Sequence, residues 1–258
     1  MSKDAINTMT TTLLHSNGRW PSDVMLWHVQ IPLAPTAWNL LRVCLSDDEQ
    51  QRALRYQRDA DRLRFAATRV ALRALLSKHT STVPLSLRFS SGIFGRPELT
   101  GYGNTLSFNV THAGQNALIA ISERRCVGVD IEYTDRVIAW QALLETVCTT
   151  DERHALLRSS LVHGTKGFLR CWTAKEAVLK ALGTGIKYGL QQISVDPFAQ
   201  GVQYVKAPVK NIRRSSTSVL QLHWIDNLVS YVGCIAFGPL GSIKVYLQST
   251  NSSLAHDS

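Results

Sequence analysis

The chain has 258 residues, 45% of them hydrophobic, enough to bury one large core or two of roughly a hundred residues each. Its 28 Lys and Arg against 19 Asp and Glu leave a formal charge of +9, which favours anionic partners: nucleic acid, a membrane surface, a phosphorylated cofactor or an acidic protein. Five scattered cysteines with no C-x-x-C pair argue against a disulfide framework or a structural zinc site. The N-terminus lacks a basic region followed by an apolar one, and no apolar run approaches membrane-span length. These features predict a cytoplasmic protein with free thiols.

Taken in chain order, a strand is expected near Val24–Ile31, then helices near Ser46–Gln57 and Asp59–His79, and strands near Leu85–Ser90, Thr105–Thr111 and Ala117–Ser122. A second series follows. A strand at Cys126–Tyr133 leads into helical stretches ending in Lys166–Leu182, then into strands near Gln192–Val195, Val202–Lys206, Val219–Trp224, Ser230–Phe237 and Ile243–Leu247. The segment Lys206–Ser218, with Lys210, Arg213 and Arg214 among Ser and Thr, reads as a basic loop. Both termini are polar and expected to fray. The repeated order predicts an α+β fold of two similar α/β-mixed subdomains in a pseudo-twofold arrangement, with a ligand cleft between them. The expected boundaries are 1–124 and 125–247, joined near Ser122–Arg125, with 248–258 a disordered tail.

Three stretches carry chemistry. In Val127-Gly-Val-Asp-Ile-Glu132, strand alternation puts Asp130 and Glu132 on one face, about 7 Å apart at their Cα atoms, while Val129 and Ile131 turn inward. Two carboxylates so placed repel unless a cation lies between them. Oxygen ligands without a His or Cys grouping favour Mg²⁺, which is commonly held by a few carboxylates and substrate phosphates. In Cys171–Gly185, Trp172, Glu176 and Lys180 continue a helical stripe from Phe168, so Glu176 is either a third acid for that site or a surface partner of Lys180. In Phe108-Asn-Val-Thr-His-Ala-Gly114, Thr111 and His112 stand at a strand end, where a hydroxyl, an imidazole and backbone N–H groups can meet a phosphate.

Together, FNVTH, GVDIE and WTAKEAVLKALG resemble the F-N-x-S-H, G-(V/I)-D-(V/I)-E and W-(S/T)-x-K-E-x-x-x-K-x-x-G motifs of the Sfp-type 4′-phosphopantetheinyl transferases. The resemblance covers roughly Ser46 to Val195. It implies transfer of the 4′-phosphopantetheine arm of coenzyme A to a serine of an apo acyl or peptidyl carrier protein, with release of adenosine 3′,5′-bisphosphate. Carried onto this chain, it implies Asp130, Glu132 and Glu176 as Mg²⁺ ligands, Thr111 and His112 as pyrophosphate contacts, Lys180 as a phosphate-stabilising lysine, and Lys175, a further motif lysine, as a cofactor contact. The stretch RDADRLRFAATRVALR and the turn Phe94-Gly-Arg-Pro97 resemble the family's basic helix and Y-G-(K/R)-P element. Arg64 and Arg96 are then expected at the nucleotide 3′-phosphate, with Arg52 or Arg69 as alternatives. Glu176 is the expected base for the serine hydroxyl, directly or through a water. The carrier's acidic surface helix is the expected docking partner of a monomeric enzyme. A basic nucleic-acid-binding module leaves the three acids unexplained, and another Mg²⁺-dependent nucleotide enzyme lacks a G-x-x-x-x-G-K-(S/T) loop.

Overall fold

The computed structural model describes residues 9–92, 95–102, 105–185, 189–211 and 214–243. Two four-stranded antiparallel sheets dominate it. The first has the order β1-β2-β6-β5, built from β1 (Thr10–Leu14), β2 (Val24–Gln30), β5 (Ser107–Ala113) and β6 (Asn116–Ser122). The second has the order β7-β10-β9-β8, built from β7 (Val127–Tyr133), β8 (Gln203–Asn211), β9 (Arg214–Ile225) and β10 (Tyr231–Phe237). In each, the strand preceding the helices (β2 or β7) pairs with the last strand (β6 or β10), which pairs with the strand before it. Each half also carries one 22-residue helix, α3 (Asp59–Thr80) and α6 (Leu161–Leu182). The expected pair of similar α+β halves is therefore present, with a repeat in connectivity rather than in residues.

Shorter elements brace the long helices. Helix α1 (Ala37–Arg42) and helix α2 (Asp47–Leu54) precede α3, and helices α4 (Trp140–Val147) and α5 (Thr150–Leu157) precede α6. Ser46 with Glu49 and Thr149 with Glu152 form capping boxes that start α2 and α5. Helix α6 ends at Gly183, whose φ of 69° closes the helix in the left-handed conformation.

Three apolar clusters hold the molecule together. One lies between the first sheet and α1 and α3, and another between the second sheet and α4–α6. The third joins the sheets, packing Leu26, Leu118 and Ala120 against Val127, Val129, Ile131, Ile235 and Phe237. Because Val127, Val129 and Ile131 take that inner face, alternation turns Gly128, Asp130 and Glu132 toward α6. Gly128 lets the helix close in: a Cβ there would lie 2.0 Å from the Ala177 carbonyl oxygen and 2.4 Å from the Ala181 nitrogen. Glycine in β7 and alanines in α6 thus bring the helix face carrying Glu176 and Lys180 onto the strand face carrying Asp130.

Several expectations change. Thr10–Leu14 is not a frayed end but pairs with β2 from Thr10↔Gln30 to Leu14↔Leu26. Leu85–Ser90 is a 3₁₀ turn (Pro84–Ser86) followed by the short strand β3 (Phe89–Ser91), which pairs with β4 (Pro97–Leu99). Gln192–Val195 is not a strand: Ile193 and Val195 are buried as a strand pattern requires, but the Val195 N–H is bound by the Glu152 carboxylate. The loop expected at Lys206–Ser218 is a hairpin in which Lys206 faces Val219 and Asn211 faces Arg214; Arg213 lies outside the described residues. So do Phe94, the 248–258 tail and all but Ile243 of the last expected strand. The five cysteines are free and buried. No helix among the described residues is long and apolar enough to cross a membrane.

Candidate active site

The site lies where β5, the edge of the first sheet, runs beside β7, the edge of the second. Asp130 is buried at the centre. Its Oδ1 accepts from Lys180 Nζ at 2.6 Å and from Thr111 Oγ1 at 2.9 Å, so α6 and β5 both bond to one carboxylate oxygen. Its Oδ2 is buried without a partner. Glu176, one turn before Lys180, is also buried and has its Oε1 without a partner. Glu132 is half-buried and bound by Arg136 at 2.8 Å.

Burial holds the Glu176 carboxyl above the usual range; Lys180 opposes this, and Asp130 and Glu132 add to it. Glu132 is raised in the same way, by burial and then by Asp130, with Arg136 and Lys180 opposing. The three acids therefore feel one another, although their oxygens are not all drawn within ligand distance of one common point. Among the described residues the group that does come that close is Cys148, Glu152 and Cys171. There, however, the Lys175 ammonium already sits on Glu152 at 2.5 Å and supplies the positive charge.

His112 stands near Lys180, with Arg64 beside it. His112 keeps an open ring surface. Its pKa is nonetheless lowered, first by desolvation and then by Arg64 and Lys180, which favours the neutral ring with its one N–H donor. Arg64 donates to the Gly114 carbonyl at 2.8 Å and to Asp61, which fixes it beside the turn that follows His112. The result is a strip of buried, partly unpartnered acid bordered by Lys180, His112 and Arg64. Such a strip fits a hard cation together with a phosphorylated ligand.

Residues 126–235 match the 4′-phosphopantetheinyl transferase superfamily, and residues 32–124 match the 4′-phosphopantetheinyl transferase N-terminal family. The protein slr0495 of Synechocystis sp. is 37% identical over 185 residues, covering 70% of this chain and 75% of its own. The 4′-phosphopantetheinyl transferase HetI of Nostoc sp. is 31% identical over 219 residues, covering 84% of this chain and 89% of its own. The chain belongs to the 4′-phosphopantetheinyl transferase family.

Two basic residues expected at the ligand are placed elsewhere in the transferase. Lys175 is fully buried, with its Nζ bound to the Val147 carbonyl at 2.7 Å and to Glu152. In this structure it serves as the counter-charge of Glu152. Arg96 lies against the C-terminus of α6. Its Nη1 donates to the Lys180 carbonyl at 2.9 Å and its Nη2 to the Phe108 carbonyl at 2.8 Å, with longer contacts to Ala181, Ser107 and Val127. Those donors face backbone, so the expected 3′-phosphate contact does not fit this placement. Thr111 likewise directs its hydroxyl at Asp130, so it orients an acid in this structure and does not face outward to a pyrophosphate.

A cationic cavity that the sequence indicated only weakly lies between α2, α3 and β3. Arg52, Arg69, Arg73 and Arg88 line about 150 Å³ there, with Phe65 and Phe89. Glu49 holds Arg73 at 2.8 Å and Arg69 at 3.4 Å, while Arg69 Nη1 remains buried and unpartnered. Arg88 carried no motif and was not anticipated; only its position, directly before Phe89 of β3, brings it in.

Proposed function

We propose that this transferase moves the 4′-phosphopantetheine arm of coenzyme A onto a serine of an apo acyl or peptidyl carrier protein and releases adenosine 3′,5′-bisphosphate. The observation that carries the reading is the pair of buried, unpartnered oxygens, Asp130 Oδ2 and Glu176 Oε1, at a junction edged by Lys180, His112 and Arg64. Buried carboxylate oxygens are ordinarily satisfied, and an all-oxygen donor set suits Mg²⁺. Asp130, Glu132 and Glu176 would hold it. When bound, the ion supplies charge neutralisation for the pyrophosphate oxygens.

The chain's own residues account for the rest. Lys180 provides a fixed positive charge and neutral His112 an N–H donor beside the pyrophosphate, each placed before reaction, so little reorganisation is needed as charge moves to the leaving oxygen. Glu176, whose carboxyl holds its proton more tightly than an exposed glutamate, is suited to accept the serine proton directly or through a water. The Arg52–Arg69–Arg88 cavity takes the nucleotide 3′-phosphate, where the unpartnered Arg69 donor would be satisfied. In this reading the half 1–124 supplies the nucleotide contacts and the half 125–247 supplies the acids. The enzyme acts as a cytoplasmic monomer, and the net charge of +9 steers the acidic helix of the carrier.

Incubation with coenzyme A, Mg²⁺ and a panel of apo carrier proteins, read by intact mass, should show the added arm on at least one carrier and none in chelator. Replacing coenzyme A by dephospho-coenzyme A should slow the parent but change Arg69→Ala little. No mass gain on any carrier would contradict the reaction; equal sensitivity of parent and Arg69→Ala to the missing phosphate would remove the cavity from it.

A further inference from the structure

The reacting groups come from two sheets between which the described residues form no backbone ladder. His112 belongs to β5, whose partner is β6, and Asp130 belongs to β7, whose partner is β10. A free strand edge leaves N–H and C=O groups unpaired, and buried groups of this kind are costly. On β7 that edge is closed by side chains. Ser107 Oγ accepts from the Val127 N–H at 3.2 Å and Asn109 Oδ1 accepts from the Val129 N–H at 3.0 Å. The Val127 and Val129 carbonyls receive Arg96 and Lys180, each at 3.5 Å. Ser107, Asn109 and Thr111 are alternate residues of β5, so they point the same way, like the teeth of a comb, and Thr111 bonds to Asp130 itself.

From this geometry we infer that Asn109 is a positioning residue: by binding the Val129 amide it fixes the register of β7 against β5, and so the offset between His112 and Asp130. The inference rests on the proposed transfer reaction. Asn109 is buried, and it grips the backbone one residue before Asp130. Of the two teeth that bind main chain, it is the one next to the acid; Ser107 holds the strand two residues further back. A shift of β7 by a fraction of a residue would leave the fold recognisable but move the acid face relative to His112, and small displacements of catalytic groups are expensive in rate. Truncation also leaves the Val129 N–H buried without an acceptor.

The test uses the full chain, coenzyme A, Mg²⁺ and an apo carrier that the parent modifies. Asn109→Ala should lower kcat at least tenfold while KM for coenzyme A stays within about twofold, because no residue of β5 or β7 lines the nucleotide cavity. The Mg²⁺ concentration giving half-maximal rate should rise. Val29→Ala, a core truncation in β2, serves as the stability control and should lower the melting temperature without changing kcat per folded molecule. If Asn109→Ala behaves like that control, with kcat and Mg²⁺ dependence unchanged, Asn109 only stabilises and the inference fails. If the variant does not fold, amide hydrogen exchange on the parent decides: the Val129 N–H should exchange as slowly as ladder amides of β10, and exchange at the rate of an open strand edge overturns the assignment. A parent that modifies no carrier overturns the proposed function instead, independently of Asn109.

Discussion

Asp130→Asn and Glu176→Ala should each lower kcat/KM for arm transfer by at least about 10³-fold, roughly 4 kcal/mol of transition-state stabilisation. The two residues come from different elements, β7 and α6, and each places one unpartnered oxygen in the same buried junction. Removing either charge takes away one side of the site that would hold Mg²⁺, whereas Lys180, His112 and Arg64 keep their places. Asn at 130 can still accept from Thr111 and Lys180, so the fold should persist and the loss should appear in rate. The measurement is the initial rate of carrier modification across Mg²⁺ concentrations. Either variant within tenfold of the parent would show that the two oxygens are not part of the reacting site.

Lys175→Met should cost about 3–5 kcal/mol of unfolding free energy while leaving KM for coenzyme A within about twofold in the folded enzyme. Lys175 and Glu152 are both buried, and the Glu152 carboxylate also accepts from the Thr149 and Val195 amides. Without the ammonium this carboxylate remains in the core with no opposite charge. Lys175 and Glu152 together tie the C-terminus of α4, the start of α5 and the segment before β8, so the damage should be global. Lys175→Met with Glu152→Gln should recover part of the loss, since the pair is then removed together. Urea unfolding read by far-ultraviolet circular dichroism measures it. A variant of parental stability with a KM raised tenfold or more would return Lys175 to the cofactor site.

How much of this could be read from the chain differs residue by residue. Period-two alternation placed Asp130 and Glu132 on one face of a strand, and the i,i+4 spacing placed Glu176 above Lys180; both are local rules, and the structure keeps both. Trp172 on the same stripe packs against the C-terminal core, while Glu176 one turn later meets the edge of β7, because Gly128 admits the helix there. What local rules cannot supply is the partner of a long cation. Lys175 and Lys180 lie in the same motif, yet one meets Glu152, 23 residues earlier, and the other meets Asp130. Arg96 has a motif position like a phosphate ligand but meets carbonyls 84 residues away. β1 was missed because its outward residues are as polar as a frayed tail, and its pairing with β2 depends on a long-range register. Gln192–Val195 has strand-like burial, but a carboxylate takes the amide that a ladder would use.

The central claim, that Asp130, Glu132 and Glu176 form one cation site, is tested most directly by thermal unfolding of the parent and Glu176→Gln, each in chelator and in Mg²⁺ with coenzyme A. In the metal-free protein, burial and mutual repulsion raise the Glu132 and Glu176 carboxyls above their ordinary value. The folded state then binds these protons more tightly than the unfolded chain. The penalty is fully present at neutral pH and is relieved as pH falls through the window from the raised values to the ordinary one. In chelator at neutral pH, Glu176→Gln should therefore unfold at the same temperature as the parent or higher, with the difference shrinking in acid. Mg²⁺ with coenzyme A should raise the parent's unfolding temperature, by linkage, much more than the variant's. A variant that is less stable than the parent in chelator, yet gains as much from Mg²⁺ and coenzyme A, would leave Glu176 a buried acid with no part in cation binding and would contradict the site.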